Sequence, residues 1–186
     1  MLPLGYIEKK GLIRSNPLIS KEINMTISGI MQKMISFSEG NIHDIEHLVK
    51  VWAYARTIGE LEYLDEETQF ILEAAAITHD IACPLCRQKY GSTNGKYQEK
   101  EGIPLVEEFF KGSDLTEQQI GRIKYLVGHH HTLTDITGAD YQILIEADFI
   151  VNASENSYSR EKVETFLRTT AKTPAGINLI SEVFRV

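Results

Sequence analysis

The apolar run Ile71-Leu72-Glu73-Ala74-Ala75-Ala76-Ile77-Thr78 closes on the dipeptide His79-Asp80. Alanines are strong helix formers that permit close packing. Asp65-Glu66-Glu67 ahead of the run supply an N-cap and an acidic first turn. The segment therefore reads as a helix that carries two polar side chains at an apolar end. A buried polar group without a partner costs ~2–7 kcal/mol by transfer estimates. His47 on a preceding helix and Asp148 within Ile143-Leu144-Ile145-Glu146-Ala147-Asp148-Phe149-Ile150-Val151 pose the same problem. One divalent metal would satisfy His47, His79, Asp80 and Asp148 together, because imidazole and carboxylate both ligate hard or borderline cations.

The remaining chain reads as helical. Asn41 after Gly40 is a plausible N-cap for a helix over Ile42 to Leu61. Ile23, Ile27, Ile30, Met31 and Met34 fall at helical spacing, with Met25, Met31 and Met34 as core filler. Gly, Pro, Ser, Thr and Asn crowd residues 83–98, which are expected to form a loop able to act as a lid. A helix from Gln98 to Phe110 follows, and a capping box of Asp114 and Glu117 opens another that carries Ile120, Ile123, Val127 and three histidines. Extending that stripe at ~3.6 residues per turn puts His130 and His131 on the buried side and His129 away from it. Residues 141–153 suit a buried helix, although periodicity alone also allows a strand. Glu146 lies on a different helical face from Asp148 and could equally be a surface acid. A last helix is expected from Glu161 to Thr170, broken by Pro174 and Gly176 before a short apolar tail.

At 186 residues and 42% hydrophobic composition, one domain with one core is expected. It divides into an N-terminal helical extension (1–40), a core (41–153) and a C-terminal helical extension (154–186). A net charge of −7 argues against an extended nucleic-acid surface while leaving room for a pocket that takes a small phosphorylated ligand. No apolar run approaches the ~20 residues needed to span a bilayer, and Met1-Leu2-Pro3-Leu4-Gly5 lacks a leader pattern. A cytoplasmic protein without membrane contact is expected, with a homodimer as an ordinary assembly. Cys83 and Cys86 stand without the second pair a zinc ribbon requires, so they are read as reduced thiols without a function.

The ordered set His47, His79-Asp80 and Asp148 resembles the H…HD…D signature of the HD superfamily of metal-dependent phosphohydrolases. His43-Asp44-Ile45-Glu46-His47-Leu48-Val49-Lys50-Val51 is similar to its first motif and Glu146-Ala147-Asp148-Phe149-Ile150-Val151-Asn152 to its last. The resemblance spans roughly 40–152. It implies an all-α, compact helical bundle in which those residues bind one divalent metal: manganese, iron, cobalt, nickel or zinc. Branches with a second metal carry a histidine where Gln98 or Glu99 stands here, ahead of Gly102. This departure weighs against a dinuclear form, whereas His130 and His131 match later histidines of those branches.

The activity so implied is hydrolysis of a phosphate ester of a small molecule, a nucleotide being the leading candidate. Asp80 would orient or deprotonate the attacking water, and His130 and His131 would contact phosphate or a second metal. Lys50, Arg87 or Lys89 would supply positive charge. The alternatives are a dinuclear iron oxygenase of the same superfamily, and a non-catalytic module that binds metal or nucleotide.

Overall fold

The structure is a computed structural model that describes residues 25–186; Met1–Gly5 and Ile23 lie outside the described residues. The described chain is all-α. In order it forms α1 (Ile27–Phe37), α2 (Ile42–Leu61), α3 (Glu66–Thr78), α4 (Cys83–Tyr90), α5 (Gly95–Phe110), α6 (Glu117–Val127), α7 (Ala139–Glu155), α8 (Arg160–Thr169) and α9 (Pro174–Phe184).

Local capping starts most of these helices. The side chains of Asn41 and Asp65 accept from the backbone N–H groups of Asp44 and Thr68, as expected. The helix before the histidines is capped differently from the expectation. Thr116 and Gln119 form its capping box, while Asp114 accepts from the Met25 N–H at 2.9 Å and ties the start of α1 to this turn. A long-range bond has taken the side chain that spacing assigned to the cap.

Residues 83–98 are a second correction, since they hold α4 and the start of α5 rather than a loop. Pro84 sits in the first turn of α4, where a missing N–H costs nothing. Gly91, at φ 63°, closes the helix in the left-handed conformation. Pro174 likewise opens α9 behind the Thr173 cap, and Gly176 lies inside that helix, so neither residue ends the chain's helical structure.

α3 is the central element, with α1, α2, α6 and α7 packed around it, and α2 also lies along α7. Ala74, Ala75 and Ala76 are fully buried, and their small side chains let several helices approach one axis. The segment around Asp148 is the helix α7, buried along nearly its whole length, which removes the strand alternative. Its start is held by Arg122, whose Nε and Nη2 donate to Asp140 at 2.8 and 2.6 Å.

Glu146 is fully buried rather than a surface acid. It accepts from the backbone N–H groups of Lys172 and Thr173 at 2.7 and 3.0 Å, from Gln142 Nε2 at 2.8 Å and from the Thr173 hydroxyl. This carboxylate fastens the start of α9 to α7. No helix among the described residues is long and apolar enough to cross a membrane.

Candidate metal centre

Each element that meets at the centre delivers its side chain by a different local device. His47 sits on the buried face of α2. His79 is the C-cap of α3, beyond which the chain leaves the helix in tight turns: Ile81 N–H donates to Thr78 O and Cys83 N–H to Asp80 O. Adjacent residues diverge by about 100° on a regular helix. The break at His79 is what lets His79 and Asp80 both face His47. Asp148 comes from α7 and accepts from Asn152 Nδ2, one turn further on, at 2.7 Å.

The histidines share one orientation. His47 Nδ1 donates to Glu155 Oε2 at 2.9 Å, His79 Nδ1 to Ala76 O at 2.8 Å and His130 Nδ1 to Val127 O at 2.8 Å. Every Nε2 therefore turns its lone pair inward. The Nε2 atoms of His47 and His79 face each other at 3.2 Å. Asp148 Oδ1 lies 3.3 Å from the first and 3.5 Å from the second. Asp80 lies 3.7 Å from His47 Nε2, 3.8 Å from His79 Nε2 and 3.5 Å from His130 Nε2. Two lone pairs this close require a positive charge between them, either a proton or a metal ion.

His130 Nε2 is buried and makes no hydrogen bond, which is costly unless a ligand completes it. The donor set of imidazole nitrogens and carboxylate oxygens thus fits a divalent cation, which His47, His79 and Asp80, with Asp148 beside them, could hold.

The three consecutive histidines stand beyond α6, which ends at Val127. His130 is buried as expected, but His131 is exposed, because the turn breaks the helical phase on which the expectation rested. The backbone N–H of His131 and the Thr132 hydroxyl donate to Glu99 Oε1 at 3.1 and 2.9 Å. The ring edge of His131 rests on Gly95, where a Cβ would come within 2.7 Å of it.

Gln98, not Glu99, lines the cleft. Its Nε2 donates to Thr93 O at 2.8 Å, which orients the amide and leaves the buried Oε1 without a partner. The cleft, about 290 Å³, also takes in Arg87, whose guanidinium is paired with Asp44. Lys50 Nζ lies 3.2 Å from Glu155, and Lys89 points to Glu101 at 2.8 Å, away from the cleft lining.

Charge follows this geometry. Burial opposes ionisation of Asp80, but His79, His130 and His47 outweigh it and hold the carboxyl below its ordinary range. Asp148 is held low in the same way, against burial, by His47 and His79. Burial disfavours protonation of His47, yet Asp148, Asp80 and Glu155 raise its pKa to about 9. The ring of His131, exposed on one side but packed on Gly95 and His130 on the other, is partly desolvated and repelled by His130, and its pKa falls to about 4. The Cys83 thiol, pushed upward by burial and Asp80, is an inert lining group.

Metal requires the neutral imidazole, so a cation bound by His47 near pH 7 would expel its proton. Apparent metal affinity is therefore expected to rise from pH 7 to about 9 and then level off. Calorimetry in buffers of differing ionisation enthalpy would register the released proton, and a pH-independent affinity would contradict this assignment.

Glu155 and Asn152 orient metal-facing groups and were not singled out from sequence. Glu155 lies 108 positions from His47, a separation at which no periodicity carries information. Glu155→Ala is expected to weaken metal affinity about 10–100-fold, the usual cost of losing such an orienting partner. Competition with a chelating dye measures it.

An all-helical fold that gathers imidazoles and carboxylates at one cleft defines a helical protein able to hold a metal ion. A family model described as HD domain matches residues 44–169, and the chain belongs to that family, whose members are generally metal-dependent hydrolases. No match was found among curated proteins or among solved structures.

Proposed function

We propose that this protein is a divalent-metal-dependent phosphohydrolase acting on the phosphate ester of a small molecule such as a nucleotide. The observation that carries the reading is the shared orientation of the histidines: three Nδ1 atoms anchored by acceptors, with their Nε2 atoms turned towards Asp80 and Asp148.

When bound, a divalent ion supplies positive charge that lowers the pKa of water and neutralises phosphoryl oxygens. His47, His79, Asp80 and Asp148 would hold it, and Glu155, Ala76 O and Asn152 keep His47, His79 and Asp148 in place. The Asp80 side chain is 27% exposed to the cleft. It is thus the carboxylate open to an attacking water, which it would orient or deprotonate. His130, one contact beyond Asp80, donates to a phosphoryl oxygen when protonated, and burial, outweighed by Asp80, leaves its pKa raised. Arg87 at the cleft wall adds positive charge, although its pairing with Asp44 limits that role.

Protein purified without added metal is expected to hold about one equivalent per chain and to hydrolyse a chromogenic phosphoester in a metal-dependent manner. No metal under any reconstitution would overturn the reading.

A second reading has a specific observation behind it. Ligand atoms of Asp80, His130 and His131 also lie within 4.8 Å of one another, in an arrangement able to hold a second cation. About two equivalents of iron, with oxygen uptake and no ester hydrolysis, would select the dinuclear oxygenase instead.

A further inference from the structure

The centre opens on two sides. Asp148, Asn152 and His131 border the polar cleft and also a second cavity of about 370 Å³ between α7 and α8. The two spaces differ in chemistry. One wall of the second is formed by Ile145, Phe149, Tyr158 and Phe166, with Leu133 at its rim, and Thr165, Thr169 and Thr170 line it as well. Phe149 and Phe166 are stacked with centroids 3.6 Å apart, and Tyr158 lies 5.9 Å from Phe149. Leu133 is 51% exposed, an uncovered apolar side chain beside a charged centre.

We propose that this cavity receives the organic part of the substrate, and that the substrate is a phosphomonoester whose alcohol carries a flat aromatic ring. The proposal rests on the phosphohydrolase reading and deepens it. With the phosphoryl group at the His–Asp cluster, the rest of the ester leaves through one of the two openings. The polar cleft carries the carboxylates of Asp44 and Glu155, and its Arg87 is already committed to Asp44. Further phosphates there would meet negative charge. A bare sugar in the other cavity would find Thr165, Thr169 and Thr170 for its hydroxyls but would leave the rings of Phe149, Tyr158 and Phe166 without an aromatic partner.

An aromatic ring there gains from burial and from stacking geometry. Lys162 lies at the rim with its Nζ 3.1 Å from the Tyr158 ring centroid, a single cation where a polyphosphate would require several. A concave, mainly apolar space with a few convergent polar groups is the usual form of a small-molecule site.

The test measures kcat/KM of the metal-loaded protein for phenyl phosphate, adenosine 5′-monophosphate, ribose 5-phosphate and ATP. Separately, the metal-free protein is titrated with adenosine while the methyl NMR signals of Leu133 and Ile145 are followed. Both aromatic monophosphates are expected to exceed ribose 5-phosphate and ATP by at least about tenfold, and adenosine is expected to shift both methyl signals saturably.

Leu133→Glu, at an exposed position, should abolish the adenosine shift at Ile145 and reduce the aromatic preference. Tyr158→Ala should do the same from the aromatic wall. Hydrolysis without aromatic preference and without adenosine shifts overturns the cavity assignment and leaves the phosphohydrolase reading in place. Intact adenosine shifts with no ester hydrolysed overturn that reading while supporting an aromatic cavity. ATP turned over as well as the monophosphate overturns the single-phosphate conclusion.

Discussion

Asp80→Ala is expected to reduce phosphoester hydrolysis by at least about a thousandfold, within the ~10²–10⁴ range of general acid–base contributions with ligand loss added. Bound metal should fall with it. Asp80 lies within 3.8 Å of the Nε2 atoms of His47, His79 and His130. Among the described residues it is therefore the one carboxylate shared by His47, His79 and His130. Its side chain reaches the cleft and fills no core space, so truncation should leave the far-ultraviolet circular dichroism unchanged. The imidazoles also lose an anion that favours their protonated forms, and His130 should titrate closer to its ordinary value. Elemental analysis and turnover on the same preparation provide the check. Parent-level hydrolysis by the variant would remove Asp80 from the mechanism.

Glu146→Ala is expected to destabilise the fold by about 3 kcal/mol, because it leaves several donors unpaired at roughly 1–3 kcal/mol each and water can recover part of the loss. For a chain of this size that corresponds to a fall of about 6–12 °C in the thermal midpoint. The donors at risk are the backbone N–H groups of Lys172 and Thr173 and the side chains of Gln142 and Thr173. The loss should fall at the junction of α7 and α9, since α9 packs on α7. Hydrogen exchange would locate it there, and Glu146→Gln, which keeps one carbonyl acceptor, should lose about half as much. An unchanged midpoint in the alanine variant would show that the buried carboxylate does not hold α9.

How much of this was legible beforehand depends on the range of the interaction concerned. Asn41 and Asp65 cap their helices as read, because a cap is a contact between a side chain and a backbone group three residues away. The apolar run ending at His79-Asp80 likewise determines a buried helix with polar residues at its end, and residue type with order along the chain points to the His–Asp cluster. Pro84 and Pro174 misled the reading because proline both breaks and begins helices. Pro174 follows the side-chain cap of Thr173, whereas Pro84 stands in the first turn of α4 without one, so the local sequence does not distinguish the two roles. The placement of Asp114, bonded to Met25 rather than to its own helix, shows a tertiary contact displacing a local one.

The sequence by itself thus pointed to helices over most of the described chain, because caps and apolar periodicity are short-range, and to residue types able to ligate a metal, through their order along the chain. Tertiary structure alone decided the rest. Glu155 sets which nitrogen of His47 faces inward, the end of α6 turns His130 in and His131 out, and α8 lays Phe166 beside Phe149 to form an aromatic wall next to Asp148. These are relations between side chains brought together by packing, and their distances and orientations are set by the shape of the whole core.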